Sequence, residues 1–317
     1  MPGAALTRSA APVAARAALS AALLLPALAG AAALSVREVA PGVFVHEGRP
    51  LALDASGHDD IANIGFIIGT RCVAVIDSGG SVRIGRALRE SVRSHTKLPV
   101  CYLINTHVHV DHLLGNYAFA TARPQFLGHA QLPAALLRSR DFFLKNYAAD
   151  LEPPASAAQL LGPTRTVDIG REVALQLGGR QLTLRAWPTA HTDCDLSVYD
   201  SRSGTLWTGD LLFVERTPVL DGSLKGWLAA LEALAGLPAR HVVPGHGPPG
   251  DDLQGALEPQ RRYLQTLLEV VRAELARGVT LQQALRATDF PGRSGWLLWD
   301  ETHPHNIARA YQELEWE

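Results

Sequence analysis

The chain has 317 residues, of which 47% are hydrophobic and 19% charged, a balance that supports a packed core and excludes a disordered chain. Its formal charge of −2 argues against nucleic acid or an anionic membrane surface as a partner. Three cysteines, an odd count, call for no disulfide framework.

Residues 1–33 read as a secretory signal peptide. Arg8 and Arg16 are the only charged side chains there, and the apolar run "AALSAALLLPALAGAAAL" follows. Ala29 with Ala31, or Ala31 with Ala33, fits an A-x-A cleavage site. The alternative is an uncleaved anchor helix, but Pro26 interrupts the run and the small residues follow it. Cleavage removes two cations and no anion, so the charge moves from −2 to −4. The expected location is periplasmic, with no membrane contact after cleavage.

From Val36 short apolar segments alternate with turns. "GVFVHEG" and "IANIGFIIGTRCVAVIDSGG" predict strands, with a hairpin at Gly69 and Thr70. Residues 81–95 carry apolar residues at helical spacing behind Ser81, a candidate N-cap. "PVCYLINTH" returns to a strand, and a helical region spans about 130–150. Further strands are predicted in "LGPTRTVDIG", "REVALQLGGRQLTLRAWP", "LSVYDSRSGTLWTGDLLFV" and "RHVVPGHG". "SLKGWLAALEALAGL" is a helix with Ser223 at its N-cap. Residues 34–255 form the main domain, and 256–317 a mostly helical cap packed on it. Cys72 and Cys101 sit in β-like apolar runs and read as buried core thiols, with a Cys72–Cys101 disulfide as the alternative.

The chemistry is concentrated in "INTHVHVDHLLGN" at residues 104–116, where His107, His109, Asp111 and His112 fall within six positions. In an extended segment, His107 and His109 share one face. Asp111 and His112 follow where the chain must turn, so they point differently and can serve a second ion. Mixed imidazole and carboxylate donors suit zinc, and less selectively iron or manganese. Such a run needs partners from elsewhere. His191 in "PTAHTDCDLSVYD" precedes a predicted strand, Asp210 in "LWTGDLLF" follows one, and His246 in "VVPGHGPP" ends one. The last three lie 79, 98 and 134 residues beyond His112.

This ordered set, H-x-H-x-D-H, then His, Asp and His, closely resembles the metallo-β-lactamase-fold hydrolase superfamily over roughly residues 36–250. The resemblance implies an α/β (α+β) fold, a four-layer αββα sandwich, here with a helical C-terminal extension. It places His107, His109 and His191 on one metal, Asp111, His112 and His246 on a second, and Asp210 between them. Two zinc ions are implied, with iron or manganese as alternatives. A water held by two such cations is deprotonated near neutral pH, and Asp111 is the residue expected to orient it or accept its remaining proton. The implied function is a dinuclear zinc-dependent hydrolase attacking an ester, thioester, lactone or amide carbonyl of a small molecule.

Asp210 narrows this expectation. The secreted β-lactamases that resemble the chain best place Cys there, so β-lactam hydrolysis is a secondary reading. The exported N-terminus argues against the glyoxalase II and sulfur dioxygenase relatives. "NIGFIIG", "AHTDCDLSVYD", "LDGSLKGWLAAL" and "NIARAYQELEWE" resemble a periplasmic subgroup described as quinoprotein-relay zinc metallohydrolases. That likeness implies a periplasmic quinoprotein (PQQ) dehydrogenase as a partner, and an accessory, non-catalytic metal protein as the alternative function.

Other polar residues are weighed against plain structural roles. His58 lies in an early loop and is a candidate for touching substrate. Asn116 and Lys225 are candidates too, with helix capping and a solvated helix face preferred. Cys194 reads as packing near the metals. His46, His95, His241, His303 and His305 read as surface or structural residues.

Overall fold

The computed structural model describes residues 1–7, 32–286 and 290–317. Residues 8–31 of the expected signal peptide lie outside the described residues. Among the described residues no helix is long and apolar enough to cross a membrane.

The described residues from 32 onward form one compact unit built on two sheets. The first has seven strands in sequence order, β1 (Arg37–Ala40), β2 (Val43–His46), β3 (Ile64–Ile68), β4 (Val73–Ile76), β5 (Val100–Ile104), β6 (Gln125–His129) and β7 (Arg165–Val167). The pairs from β1 to β4 are antiparallel and those from β4 to β7 parallel. The second sheet contains β8 (Glu172–Gln176), β9 (Gln181–Ala186), β10 (Leu196–Asp200), β11 (Thr205–Phe213) and β12 (His241–His246). Here only β11 and β12 pair in parallel.

Alternation along the strands creates the layers, because successive side chains leave opposite faces. In β4, Ala74 and Ile76 join Leu184, Val198 and Trp207 of the second sheet in the central core. Val73 and Val75 face outward and pack with Ile84 and Leu88 of helix α1 (Val82–His95). Helix α3 (Leu132–Asn146) covers the same outer face through Leu132 and Leu136. On the other side Leu206 and Val242 pack with α4 (Leu224–Ala235), α5 (Leu253–Ala276) and α7 (Trp299–Leu314). Two single-turn helices, α2 (Val110–Leu113) and α6 (Leu281–Ala284), complete the set. The result is the four-layer αββα sandwich with a helical C-terminal extension.

Ser81 Oγ accepts the Ile84 amide and Ser223 Oγ the Gly226 amide, so both predicted N-caps are in place. The hairpin at Gly69 and Thr70 joins β3 and β4. The free-thiol reading of Cys72 and Cys101 is corrected. The two are disulfide-bonded, with Cα atoms 5.8 Å apart. The physical reason is the parallel pairing of β4 with β5, which sets Val73 opposite Val100. Helix α1 separates those strands in sequence and hides their adjacency.

Candidate metal centre

The two sheets bring their chemistry-bearing ends together. His107 and His109 lie in the turn after β5, not in an extended strand as the spacing predicts. The bend still gathers them, with ring centroids 4.7 Å apart. Asp111 and His112 sit on the single-turn α2, pointing differently as adjacent helical residues must. His191 lies between β9 and β10, and His246 ends β12. Asp210 lies inside the nine-residue β11, not after it, where the register against β12 shifts between Gly209 and Phe213. That irregularity re-aims the carboxylate, as bulges do beside functional sites. Gly245 makes room for it, since a methyl there would overlap Asp210 Oδ1 and the Asp210 amide.

All seven residues meet in two groups whose donor atoms lie within 4.8 Å of one another. The groups are His107, His109, His191 and Asp210, and Asp111, His112 and His246. His246 Nε2 lies 3.3 Å from both Asp111 Oδ2 and Asp210 Oδ2. His191 Nε2 lies 3.4 Å from Asp210 Oδ2 and 3.1 Å from His109 Nδ1. His112 Nε2 lies 3.1 Å from Asp210 Oδ1. Four donors set about 2.1 Å from a tetrahedral zinc ion are separated by roughly 3.4 Å. The donor cage therefore has the dimensions of such an ion, and Asp210 borders both groups.

The unpaired atoms point the same way. His107 Nε2, His112 Nε2 and Asp210 Oδ1 are buried and lack hydrogen-bond partners among the described residues. Each such atom costs about 1–3 kcal/mol unless something meets it. Two divalent cations, one in each group, would meet all three, and the imidazole–carboxylate mixture fits zinc.

The surrounding electrostatics favour binding. Burial drives the His107 imidazole well below its usual range and His191 down to about 4, so both present the neutral form a metal needs. Burial also opposes charge on His112, but Asp210, Asp111 and Asp77 outweigh it and hold its pKa well above the usual range, so a cation bound there displaces a proton. Burial works against the Asp111 and Asp210 carboxylates too, and the neighbouring histidines overcome it and hold both ionised.

A further set of residues holds the outer nitrogens, and the sequence reading missed it. His112 Nδ1 meets Asp77 Oδ2 at 2.8 Å, and His191 Nδ1 donates to the Val219 carbonyl at 2.6 Å. His109 Nε2 meets Asp221 Oδ2 at 3.0 Å. His246 Nδ1 is 2.8 Å from both the Ile61 carbonyl and Arg216 Nη1. Only the carbonyl can accept a proton, so a His246 offering Nε2 to a metal donates Nδ1–H to Ile61. Asp77, in "IDSGG" at a strand end, was the most legible of these signals.

The other candidates separate. His58 bonds Asp150 at 3.0 Å and braces the Tyr147 ring, outside the lining of the cleft over the metal residues. Asn116 is buried among Ser78, Asn105 and Leu161, caps no helix and is not part of the lining of the cleft over the metal residues. Lys225 pairs with Glu317 at 2.6 Å on the surface. Cys194 is a buried free thiol in the core of the first sheet, as expected. His303 is buried against Trp299 and bonded to Tyr263. His305 comes closer to the metal residues than its surface reading implied, since it meets Asp221 at 2.8 Å.

A cleft of about 600 Å³ opens over the cluster. Asp111, His109 and His246 form its floor, Phe142, Phe143 and Tyr147 one wall, and Leu298, Glu301 and His305 another. Arg216, only 8% exposed and without a carboxylate within salt-bridge reach among the described residues, also lines it.

A family model described as the metallo-beta-lactamase superfamily matches residues 58–246. The chain belongs to the metallo-beta-lactamase superfamily. Its members are metal-dependent hydrolases, and the chain is one of them. No curated protein matches it significantly. Solved structures share the fold at low identity. A metallo-beta-lactamase from Pontibacter korlensis is 22% identical, with a TM-score of 0.58 over 73% of this chain and 99% of its own. A metallo-beta-lactamase family protein from Thermus thermophilus is 21% identical, with a TM-score of 0.59 over 87% of this chain and 93% of its own. The stereoselective inverting sec-alkylsulfatase Pisa1 from Pseudomonas sp. is 17% identical, with a TM-score of 0.67 over 89% of this chain and 50% of its own.

Proposed function

We propose that this superfamily member is a dinuclear zinc hydrolase that opens an ester, thioester, lactone or amide carbonyl of a small molecule. The observation that carries the reading is the complete donor cage, with buried unpartnered atoms on His107, His112 and Asp210. His107, His109 and His191 would hold one ion and Asp111, His112 and His246 the other, with Asp210 shared. When bound, the ions supply Lewis acidity and lower the pKa of water to about 7.

The chain's own residues do the rest. The Asp111 carboxylate is held ionised in the lining of the cleft, where it would orient the attacking water, or take its remaining proton. Phe142, Phe143 and Tyr147 give the substrate an apolar wall and keep bulk water from the reacting carbonyl. Asp210, where the resemblance puts Cys in secreted β-lactamases, supports a carbonyl ester or thioester over a β-lactam. The N-terminal pattern supports export to the periplasm. The quinoprotein-relay resemblance supports a PQQ dehydrogenase as a partner there.

Metal analysis of purified protein, followed by turnover across ester, thioester, lactone and β-lactam panels, tests the reading. Two zinc ions per chain and loss of turnover in His107→Ala are expected. Protein that binds no transition metal, or a His107→Ala variant with undiminished turnover, overturns it. Co-purification with a dehydrogenase that persists in a metal-free Asp111→Asn variant would favour the accessory role.

A further inference from the structure

The segment between β11 and α4, residues 214–223, touches three of the metal-directed histidines. The Val219 carbonyl receives His191 Nδ1–H at 2.6 Å, Asp221 Oδ2 meets His109 Nε2 at 3.0 Å, and Arg216 lies beside His246. Such outer partners fix the tautomer and aim of a ligating ring.

This segment is in turn held by α7, which lies beyond residue 246, where the family match ends. Asn306, fully buried, accepts the Leu220 amide at 2.9 Å and donates to the Pro218 carbonyl at 2.6 Å, bracketing Val219. Tyr263 of α5 anchors that amide group at 2.8 Å. His305 Nε2 meets Asp221 Oδ1 at 2.8 Å, opposite the oxygen that faces His109. Arg309 donates to the Asp221 carbonyl at 2.6 Å, and Glu313 accepts from Ser223 Oγ at 2.8 Å and the Leu224 amide at 2.6 Å. Asn306, His305, Arg309 and Glu313 recur on one side of the helix, as spacings of three and four require.

We infer that α7 is a clamp for the first metal group, with Asn306 and His305 as positioning residues that act on His191 and His109 through Val219 and Asp221. The inference rests on the dinuclear reading above. Losing an outer partner of a ligand typically costs about 10–100-fold in metal affinity. The clamp stands one contact further out, so about tenfold at the His107–His109–His191 group is expected, with the Asp111–His112–His246 group spared.

The test is competition of zinc and cobalt(II) against a chromophoric chelator, with cobalt(II) absorption spectra, for wild type, Asn306→Ala, His305→Ala and Leu314→Ala. Leu314 is buried on the same helix at 3% exposure and serves as the matched packing defect. The two clamp variants are expected to weaken one of two ions about tenfold and change the cobalt spectrum, while Leu314→Ala lowers the melting temperature and leaves both unchanged. His305 is half-exposed, so its variant leaves no buried hole if Asn306→Ala fails to fold. Equal weakening of both ions in all three variants, or wild-type affinity in both clamp variants, overturns the clamp alone. Wild type that binds no metal overturns the dinuclear reading and the clamp with it.

Discussion

Asp77 Oδ2 stands 2.8 Å from His112 Nδ1, and the same carboxylate accepts the Thr106 amide at 2.8 Å and the Thr106 hydroxyl at 2.7 Å. One side chain at the end of β4 thus aims a ring of the second metal group and pins the start of the His107 turn. Asp77 holds a left-handed φ of 53°, a conformation Asn also tolerates. Asp77→Asn should therefore keep the backbone and weaken zinc by about 10–100-fold at the second group. Metal titration of the purified variant checks this, and unchanged affinity would remove Asp77 from the machinery.

Gly245 adjoins His246, and its missing side chain leaves space for Asp210. Gly245→Ala should push the shared carboxylate aside and cost most of the bound metal. The melting temperature should fall by several degrees, as for an overpacked core site costing about 1–3 kcal/mol. Metal stoichiometry and thermal melting read both effects.

Removing metal should destabilise the fold, because His107 Nε2, His112 Nε2 and Asp210 Oδ1 are buried without a well-formed hydrogen bond among the described residues. A ligand at 100 times its Kd contributes about 2.7 kcal/mol. A chelator should lower the melting temperature reversibly, and zinc should restore it. An identical melting temperature with and without chelator would count against a metal-completed core.

His303 links stability to pH. Burial first, then the Arg293 charge, lower its pKa to about 4, below the ordinary 6.5. The unfolded chain binds the proton more readily, so the contribution is full above pH 6.5 and is lost as pH falls through about 4. The loss is about 3 kcal/mol at most. The melting-temperature gap between wild type and His303→Gln should narrow from pH 8 to pH 5, and a gap that stays constant would refute the assignment.

The Cys72–Cys101 bond closes a separation of 29 residues, which corresponds to roughly 3–4 kcal/mol of unfolded-state constraint. A Cys72→Ser/Cys101→Ser protein should melt lower than oxidised wild type and should not respond to reductant. Wild type should respond.

The seven metal-directed residues were readable because each is a strongly polar side chain within or beside an apolar run, in an order with few alternative meanings. His107, His109, Asp111 and His112 are local in sequence, so spacing alone made them visible. The caps at Ser81 and Ser223 were readable for the same local reason. Tertiary structure decided what depends on pairing between distant segments. The Cys72–Cys101 bond needed the β4–β5 register, and Asp210 needed the β11 irregularity to reach both groups. The hold of Asn306 and His305 on residues 218–221 needed α7 to dock across more than 80 residues of chain. A sequence shows which side chains can bind a cation. Only packing shows which backbone carbonyls and carboxylates aim them, because those partners carry no distinctive residue type or spacing.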